Sequence, residues 1–173
     1  MRFLKHLLVG WVVVVAMTTA TAVALGASHT TVGAGAKVAV ANSTLGRILV
    51  DGRGRTLYLF GKDKQGKSAC SGKCAAFWPP VITSGKPLAT AGAKASLLGT
   101  TKRADGRLQV TYNHHPLYTF VKDTRRGQTN GEELDVFGAE WYAVSAAGAK
   151  VEKSDATAGS SGSGPTPSGG YGY

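Results

Sequence analysis

Cys70 and Cys74 are the only cysteines of the chain, and their spacing could support two kinds of chemistry. Two thiolates bind soft ions such as Cu(I), and a distant histidine, His114 or His115, could complete such a site. In an oxidising compartment the same pair would form a disulfide. An extended chain would hold the two Cα atoms about 13 Å apart, whereas a disulfide needs less than about 7 Å. We therefore predict a structural disulfide across a helical turn or tight loop, with a copper-binding or thiol-redox site as the alternative.

Asp63 and Asp123 form a second pair with chemical potential, because two equivalent carboxylates can act as general acid and base in a wall-polymer hydrolase. Both follow predicted strands and precede polar loops, so each carboxylate could instead anchor its own loop by accepting backbone N–H bonds. We favour this structural role, because each half of a duplicated protein needs its own loop anchored.

His114 and His115 fall in a predicted turn, and adjacent side chains on a strand point to opposite faces. They are thus a poor chelating pair, and we interpret them as solvated turn residues. The sequence contains no nucleophile elbow, zinc-protease motif or phosphate-binding glycine loop. We therefore predict no catalytic residues, no enzyme activity and no cofactor.

The two aspartates each end a six-residue motif, Tyr-x-Phe-x-Lys-Asp, at 58–63 and 118–123. When the sequence is laid over itself at an offset of 60, residues 46–63 and 106–123 share eight identities in eighteen positions. A match of this density without gaps indicates a duplicated structural unit.

The aromatic residues of the motif are predicted to form the core together with two tryptophans. One tryptophan lies 20 residues after the first motif tyrosine, and the other lies 23 residues after the second. In 57–60, aliphatic and aromatic side chains alternate, which predicts that both faces of the strand are covered. The predicted structural residues are Tyr58, Phe60, Asp63, Trp78, Tyr118, Phe120, Asp123 and Trp141.

Short runs of β-branched and aromatic residues, separated by turn-forming residues, predict an all-β fold. The predicted strands are 37–41, 46–50, 56–60, 81–83, 96–102, 107–112, 117–121 and 140–144, and 75–78 is a predicted helical turn. We interpret 84–94 and 122–133 as loops. We expect two pseudo-symmetric, hairpin-containing repeats packed into one small sandwich or barrel-like domain.

The N-terminal 27 residues have the pattern of a secretory signal peptide: two basic residues, an apolar run at 7–17 and then small residues. The apolar run is shorter than the about 20 residues that span a bilayer, and an uncleaved anchor is the alternative. No cysteine lies directly after this run, so we expect a secreted or extracytoplasmic protein without a lipid anchor.

The remaining chain is divided by composition. We predict a flexible leader at 28–36 and a duplicated β domain at 37–152, with repeats at about 40–83 and 100–147. Residues 153–173 are mostly Gly, Ser, Pro and Thr, a composition that cannot bury enough apolar surface to become ordered.

The chain is basic, with 20 Lys and Arg against 10 Asp and Glu. An exported protein with this charge would associate with an anionic cell-wall polymer or a membrane surface, although the charge also serves solubility alone. Nucleic acid is not an expected partner, because the protein is predicted to be exported and shows no recognition motif. The sequence does not determine the oligomeric state.

Three features together resemble a known family: the doubled Tyr-x-Phe-x-x-Asp motif, the segment Cys70…Cys74-Ala75-Ala76-x-Trp78-Pro79-Pro80, and the turn Asn113…Pro116-Leu117-Tyr118. This is the bacterial secreted repeat family, often described as predicted lipoproteins with a Tyr-x-(Phe/Trp/Tyr)-x-x-Asp motif. The resemblance covers most of 40–147 and implies topology and location, because the family's function is unassigned. The chain departs from it in lacking a lipobox cysteine and in having His114 where the family often has Gly. We predict a secreted, non-catalytic, envelope-associated binding or scaffolding module.

Overall fold

A computed structural model of the chain describes residues 34–153. The predicted signal peptide, most of the predicted leader and the tail from 154 onward lie outside the described residues.

Within residues 34–153 the backbone forms ten short strands and one short helix, which confirms the predicted all-β class. The strands are β1 (Lys37–Ser43), β2 (Gly46–Asp51), β3 (Tyr58–Phe60), β4 (Ile82–Thr83), β5 (Leu88–Ala89), β6 (Leu98–Lys102), β7 (Leu108–Tyr112), β8 (His115–Pro116), β9 (Leu134–Val136) and β10 (Ala139–Ala143). The helix α1 spans Lys73–Phe77, and a 3₁₀ turn spans Ala95–Leu97.

In the described part of the chain the strands form three small sheets rather than a closed barrel. β1 lies between β2, to which it is antiparallel, and β5, to which it is parallel. β10 lies between β3 and β9, and β7 contacts β4, β6 and β8. The β7–β8 turn places Asn113 and His114 at φ of 47° and 66°, the left-handed pair that a two-residue hairpin turn requires.

Several predicted boundaries differ from the structure by one or two residues, and three predicted elements differ more. The predicted loop 84–94 contains β5, and the predicted strand 96–102 begins as the 3₁₀ turn and becomes β6 only at Leu98. The predicted strand 117–121 is not a regular strand. Its successive N–H groups bond to different segments: Leu117 to Val110, Tyr118 to Tyr58, and Thr119 to Pro79. No single neighbouring strand therefore forms a continuous ladder with it.

The two repeats exchange their final strands. Val81, in repeat one, lies between two backbone segments of repeat two, and Val144, in repeat two, lies between two segments of repeat one. The four bonds are Val81 N to Leu117 O at 2.9 Å, Val110 N to Val81 O at 2.8 Å, Val144 N to Leu57 O at 3.1 Å and Leu49 N to Val144 O at 2.7 Å. Each repeat therefore completes the backbone hydrogen bonding of the other.

The predicted alternation at 57–60 separates two cores. Tyr58 and Phe60 belong to an aromatic cluster that also holds the disulfide. Leu57 and Leu59 belong to a mainly aliphatic cluster on the other face of the strand. Both faces are therefore buried, as the residue pattern predicts.

We expect neither repeat to fold alone, because each would lose the strand that the other supplies. Fragments 34–90 and 91–153 should each show a disordered circular dichroism spectrum and no cooperative thermal transition. An equimolar mixture of the two is the matched control and should recover near-ultraviolet signal from the buried aromatic rings. A cooperative transition in either isolated fragment would contradict the strand exchange.

Candidate functional site

Six aromatic side chains from both repeats form one continuous block at the centre of the molecule. Four rings stack in the order Phe60, Trp141, Trp78 and Phe120, with centroid distances of 4.1, 3.9 and 4.2 Å. Tyr58 contacts Trp78 edge-on at 5.3 Å, and Tyr118 contacts Trp141 in the same way at 5.1 Å. Each phenylalanine thus stacks on the tryptophan of the other repeat, while each tyrosine contacts the tryptophan of its own.

The motif tyrosines and aspartates pair across the repeats. The Tyr58 hydroxyl donates to Asp123 Oδ2 at 2.6 Å, and the Tyr118 hydroxyl donates to Asp63 Oδ2 at 2.8 Å. The sequence predicts neither contact, because the partners are 65 and 55 residues apart.

The other oxygen of each aspartate holds its own loop. Asp63 Oδ1 accepts the Ala69 N–H at 2.7 Å, and Asp123 Oδ1 accepts the Asn130 N–H at 2.9 Å. Each carboxylate therefore fixes both the loop that follows it and the core tyrosine of the opposite repeat. This arrangement agrees with the structural interpretation of the two aspartates.

Burial raises the pKa of Asp63 to about 6, against the lowering effect of its bonds to the Ala69 N–H and the Tyr118 hydroxyl. Burial likewise raises the pKa of Asp123. The pKa values of Tyr58 and Tyr118 are raised, first by burial and further by the facing aspartates. The tyrosines therefore remain protonated donors at physiological pH, and each aspartate has hydrogen-bond donors at both of its oxygens.

A buried arginine ties the disulfide loop to repeat two. Arg103 donates to Ser68 Oγ at 2.8 Å, to Gln109 Oε1 at 2.6 Å and to the Cys70 carbonyl at 2.7 Å. The sequence analysis assigns no role to Arg103. Its repeat-one counterpart, at the offset of 60, is Ser43, so the duplication gave no signal for its role.

Cys70 and Cys74 form the predicted disulfide, with Cα atoms 5.3 Å apart. Cys74 lies in α1, in the predicted turn region, and both cysteines are buried. The thiolates that a copper site would use are therefore bonded to each other. Among residues 34–153, no three His, Cys, Asp or Glu side chains converge where they could hold a metal ion. The copper alternative stays a prediction.

His114 and His115 do not have the same environment. His114 is exposed in the β7–β8 turn, as predicted. His115 is half-buried at the start of β8, and burial lowers its pKa. The interpretation of both as fully solvated therefore holds only for His114.

The aromatic block opens to the surface at a cavity of about 500 Å³, which we call the aromatic groove. Its lining residues are Phe77, Trp78, Phe120, Lys122, Leu134, Val136 and Phe137. Phe77 and Phe137 are 49% and 40% exposed, with ring centroids 6.2 Å apart. The Trp78 indole N–H has no hydrogen-bond partner among the described residues.

Phe77 and Phe137 are exposed because of the local backbone structure at each position. Phe77 ends α1, because Pro79 and Pro80 follow closely and cannot continue a helix. Phe137 and Gly138 form the tip of the β9–β10 hairpin at φ of 62° and 88°. Such turns favour Asn-Gly, so a phenylalanine here is the sequence signal that could have revealed this surface.

Glu132 is a buried carboxylate that sequence reasoning also missed. Its Oε2 accepts the Ala143 N–H at 2.6 Å, and its Oε1 has no hydrogen-bond partner among the described residues. Ala143 lies two residues after Trp141, and the residue two positions after Trp78 in repeat one is Pro80, which has no N–H to satisfy. Burial raises the pKa of Glu132 to about 7.

The fold and these contacts define a class: a two-repeat β module whose repeats share strands, one aromatic stack and crossed Tyr–Asp bonds. A family model described as "Secreted repeat of unknown function" matches residues 39–82 and 99–145. The chain belongs to this family, which confirms the resemblance predicted from the sequence. No curated protein and no solved structure matches the chain. No helix within 34–153 has the length and apolarity to cross a membrane.

The crossed pairing can be measured with a double-mutant cycle. Tyr58→Phe and Asp123→Asn should couple by about 1 kcal/mol in the free energy of unfolding, because a hydrogen bond to a charged acceptor is stronger than one to a neutral acceptor. Tyr58→Phe with Asp63→Asn is the matched control and should be additive. Coupling within one repeat instead of across the repeats would contradict the geometry. Urea titrations measure both cycles.

Glu132 should make the protein more stable in mild acid. Its folded-state pKa lies above the ordinary value, so its contribution is present at low pH and is lost as pH rises through about 7. The raised pKa corresponds to about 3 kcal/mol between pH 5 and 8.5. Asp63 acts in the same direction at lower pH. Glu132→Gln should flatten the stability profile between pH 5 and 8.5. The exposed Asp135→Asn is the control, and an unchanged profile in Glu132→Gln would contradict this assignment.

Proposed function

We propose that this protein is a secreted, non-catalytic module that docks on an anionic membrane surface of the cell envelope through the aromatic groove. The observation that carries this proposal is a cluster of exposed apolar side chains bordered by lysines. Four of the six large apolar side chains exposed in 34–153 belong to residues in the groove or hydrogen-bonded to it: Phe77, Val121, Val136 and Phe137.

These four residues are close to one another. Phe77, Val136 and Phe137 line the groove, and the Val121 N–H donates to the Phe77 carbonyl at 3.1 Å. Contiguous exposed apolar surface of this kind marks an interaction site in a soluble domain. Two aromatic rings that project from a helix end and a hairpin tip suit shallow insertion at the headgroup boundary.

Lysines surround the apolar surface. Lys122 lines the groove, and Lys62 Nζ lies 3.5 Å from the Phe137 carbonyl. Lys73 is four residues before Phe77 in α1 and therefore lies on the same helix face. Near an anionic membrane surface each lysine contributes about 1 kcal/mol of attraction.

The nearby acidic side chains point the other way. Asp135 lies between Leu134 and Val136 in β9, so it is on the face opposite the groove. Glu140 pairs with Asp135 in the β9–β10 register and shares that face. The groove side of this hairpin is therefore apolar and cationic, which supports an anionic lipid surface as the partner.

The polar groups that the two repeats share, together with the two cysteines, support a non-catalytic role. Asp63, Asp123 and both motif tyrosines are engaged with one another inside the core. Cys70 and Cys74 are joined in a buried disulfide. These groups, which were candidates for catalysis or metal binding, therefore stabilise the fold.

Vesicle co-sedimentation tests the proposal. The protein should bind vesicles that contain phosphatidylglycerol more tightly than vesicles of phosphatidylcholine alone. Phe77→Ser with Phe137→Ser should weaken the partition coefficient about 30-fold, because two half-exposed phenylalanines contribute about 2 kcal/mol. Leu88→Ser with Leu108→Ser is the matched control, since both leucines are similarly exposed but lie outside the groove.

Three results would overturn membrane docking at the groove. One is an absence of vesicle binding, and another is an equal loss of binding in both double variants. The third is a concentration-dependent dimer that the phenylalanine variant abolishes, which would assign the groove to a second copy of the chain. Sedimentation velocity without vesicles measures this last outcome.

A further inference from the structure

A second surface, which we call the basic cleft, lies beside β1 and the turn after β2. It consists of two neighbouring cavities of about 690 and 500 Å³, both lined by Lys37, Asp51 and Gly52. No residue that lines the aromatic groove lines either cavity. The basic cleft is therefore a separate candidate site.

The floor of the basic cleft follows from the residue pattern of β1. Side chains at alternate positions share one face, and Lys37, Ala39, Ala41 and Ser43 all line the larger cavity. The two central residues are alanines, so only short side chains cover the sheet between Lys37 and Ser43, the polar residues at the two ends of the strand. The result is a shallow channel along the strand.

Arg126 forms a wall that repeat two contributes. A Cβ atom at Gly54, where φ is 82°, would lie only 2.9 Å from Arg126 Cγ, so the arginine rests directly on the glycine. The loop that carries Arg126 is fixed nearby, because Thr56 Oγ1 donates to the Gln128 carbonyl at 2.7 Å.

The basic cleft has an uncompensated positive charge. Its only acidic residue, Asp51, binds Arg55 through Nη2 at 2.7 Å and Nε at 2.8 Å. Asp51 also accepts the backbone N–H groups of Arg53 and Arg55. The remaining cations, Lys37, Arg53 and Arg126, have no acidic partner among the residues that line the two cavities.

We propose that the basic cleft binds an anionic polyol-phosphate or sugar-phosphate polymer of the cell envelope. An extended channel with cations spaced along it suits a chain with repeated phosphates, whereas a compact ligand needs an enclosed apolar pocket. Small side chains at the floor leave room for polyol units. No aromatic side chain lines either cavity, so nucleic-acid bases would have no stacking platform.

Binding of a soluble glycerol-phosphate oligomer, measured by calorimetry at several salt concentrations, tests the proposal without any membrane. Lys37→Gln with Arg126→Gln should weaken binding at least tenfold and lower the salt dependence by about two charges. Lys64→Gln with Lys102→Gln is the matched control, because it removes the same charge from exposed residues outside the basic cleft. This control should change affinity less than twofold.

Three results would overturn the proposal: no binding of the oligomer, an equal loss in both double variants, or tighter binding of a single-stranded oligonucleotide with as many phosphates. The vesicle assay separates this site from the groove. The Lys37/Arg126 variant should keep the groove-dependent vesicle binding, and the Phe77/Phe137 variant should keep the binding of the soluble oligomer.

Discussion

The structure depends on one contact between the two repeats, the antiparallel bridge between Tyr58 and Tyr118. The Tyr58 N–H donates to the Tyr118 carbonyl at 2.9 Å, and the Tyr118 N–H donates to the Tyr58 carbonyl at 3.0 Å. These reciprocal bonds hold the two motif segments side by side. From there each tyrosine hydroxyl reaches the aspartate of the opposite repeat. Because these hydroxyls are buried, they need an acceptor in the core, and the other repeat supplies it.

The two repeats differ mainly in the loop after the motif, and each loop is closed by different chemistry. In repeat one the disulfide closes the segment that precedes Trp78. In repeat two the corresponding segment has Gly131, where a Cβ atom would lie only 2.6 Å from the Trp78 ring. Glu132 then supplies an acceptor for the Ala143 N–H, which repeat one does not need at Pro80. The shared core thus tolerates divergence in its loops.

The sequence predicts much of the fold, because its signals are local. The alternation at 57–60, the turn residues and the Cys70–Cys74 spacing each depend on a few neighbouring residues. The exchange of strands could not be predicted in this way. The strands that contain Val81 and Val144 would have the same local residue pattern if each paired within its own repeat. The crossed Tyr–Asp bonds and the role of Arg103 depend on the same long-range arrangement. The aromatic groove was missed because its residues come from three distant segments, 77–78, 120–122 and 134–137.

Both proposed surfaces are built where the two repeats meet, and this follows from the exchange. The aromatic groove combines Phe77 of repeat one with Phe137 of repeat two, and the basic cleft places Arg126 of repeat two on Gly54 of repeat one. A single repeat carries only part of either surface. Duplication would normally produce two copies of each site, but α1 and the β9–β10 hairpin are different structures at related positions. The duplicated core therefore carries one copy of each surface. The position of each surface follows from the difference between the loops of the two repeats.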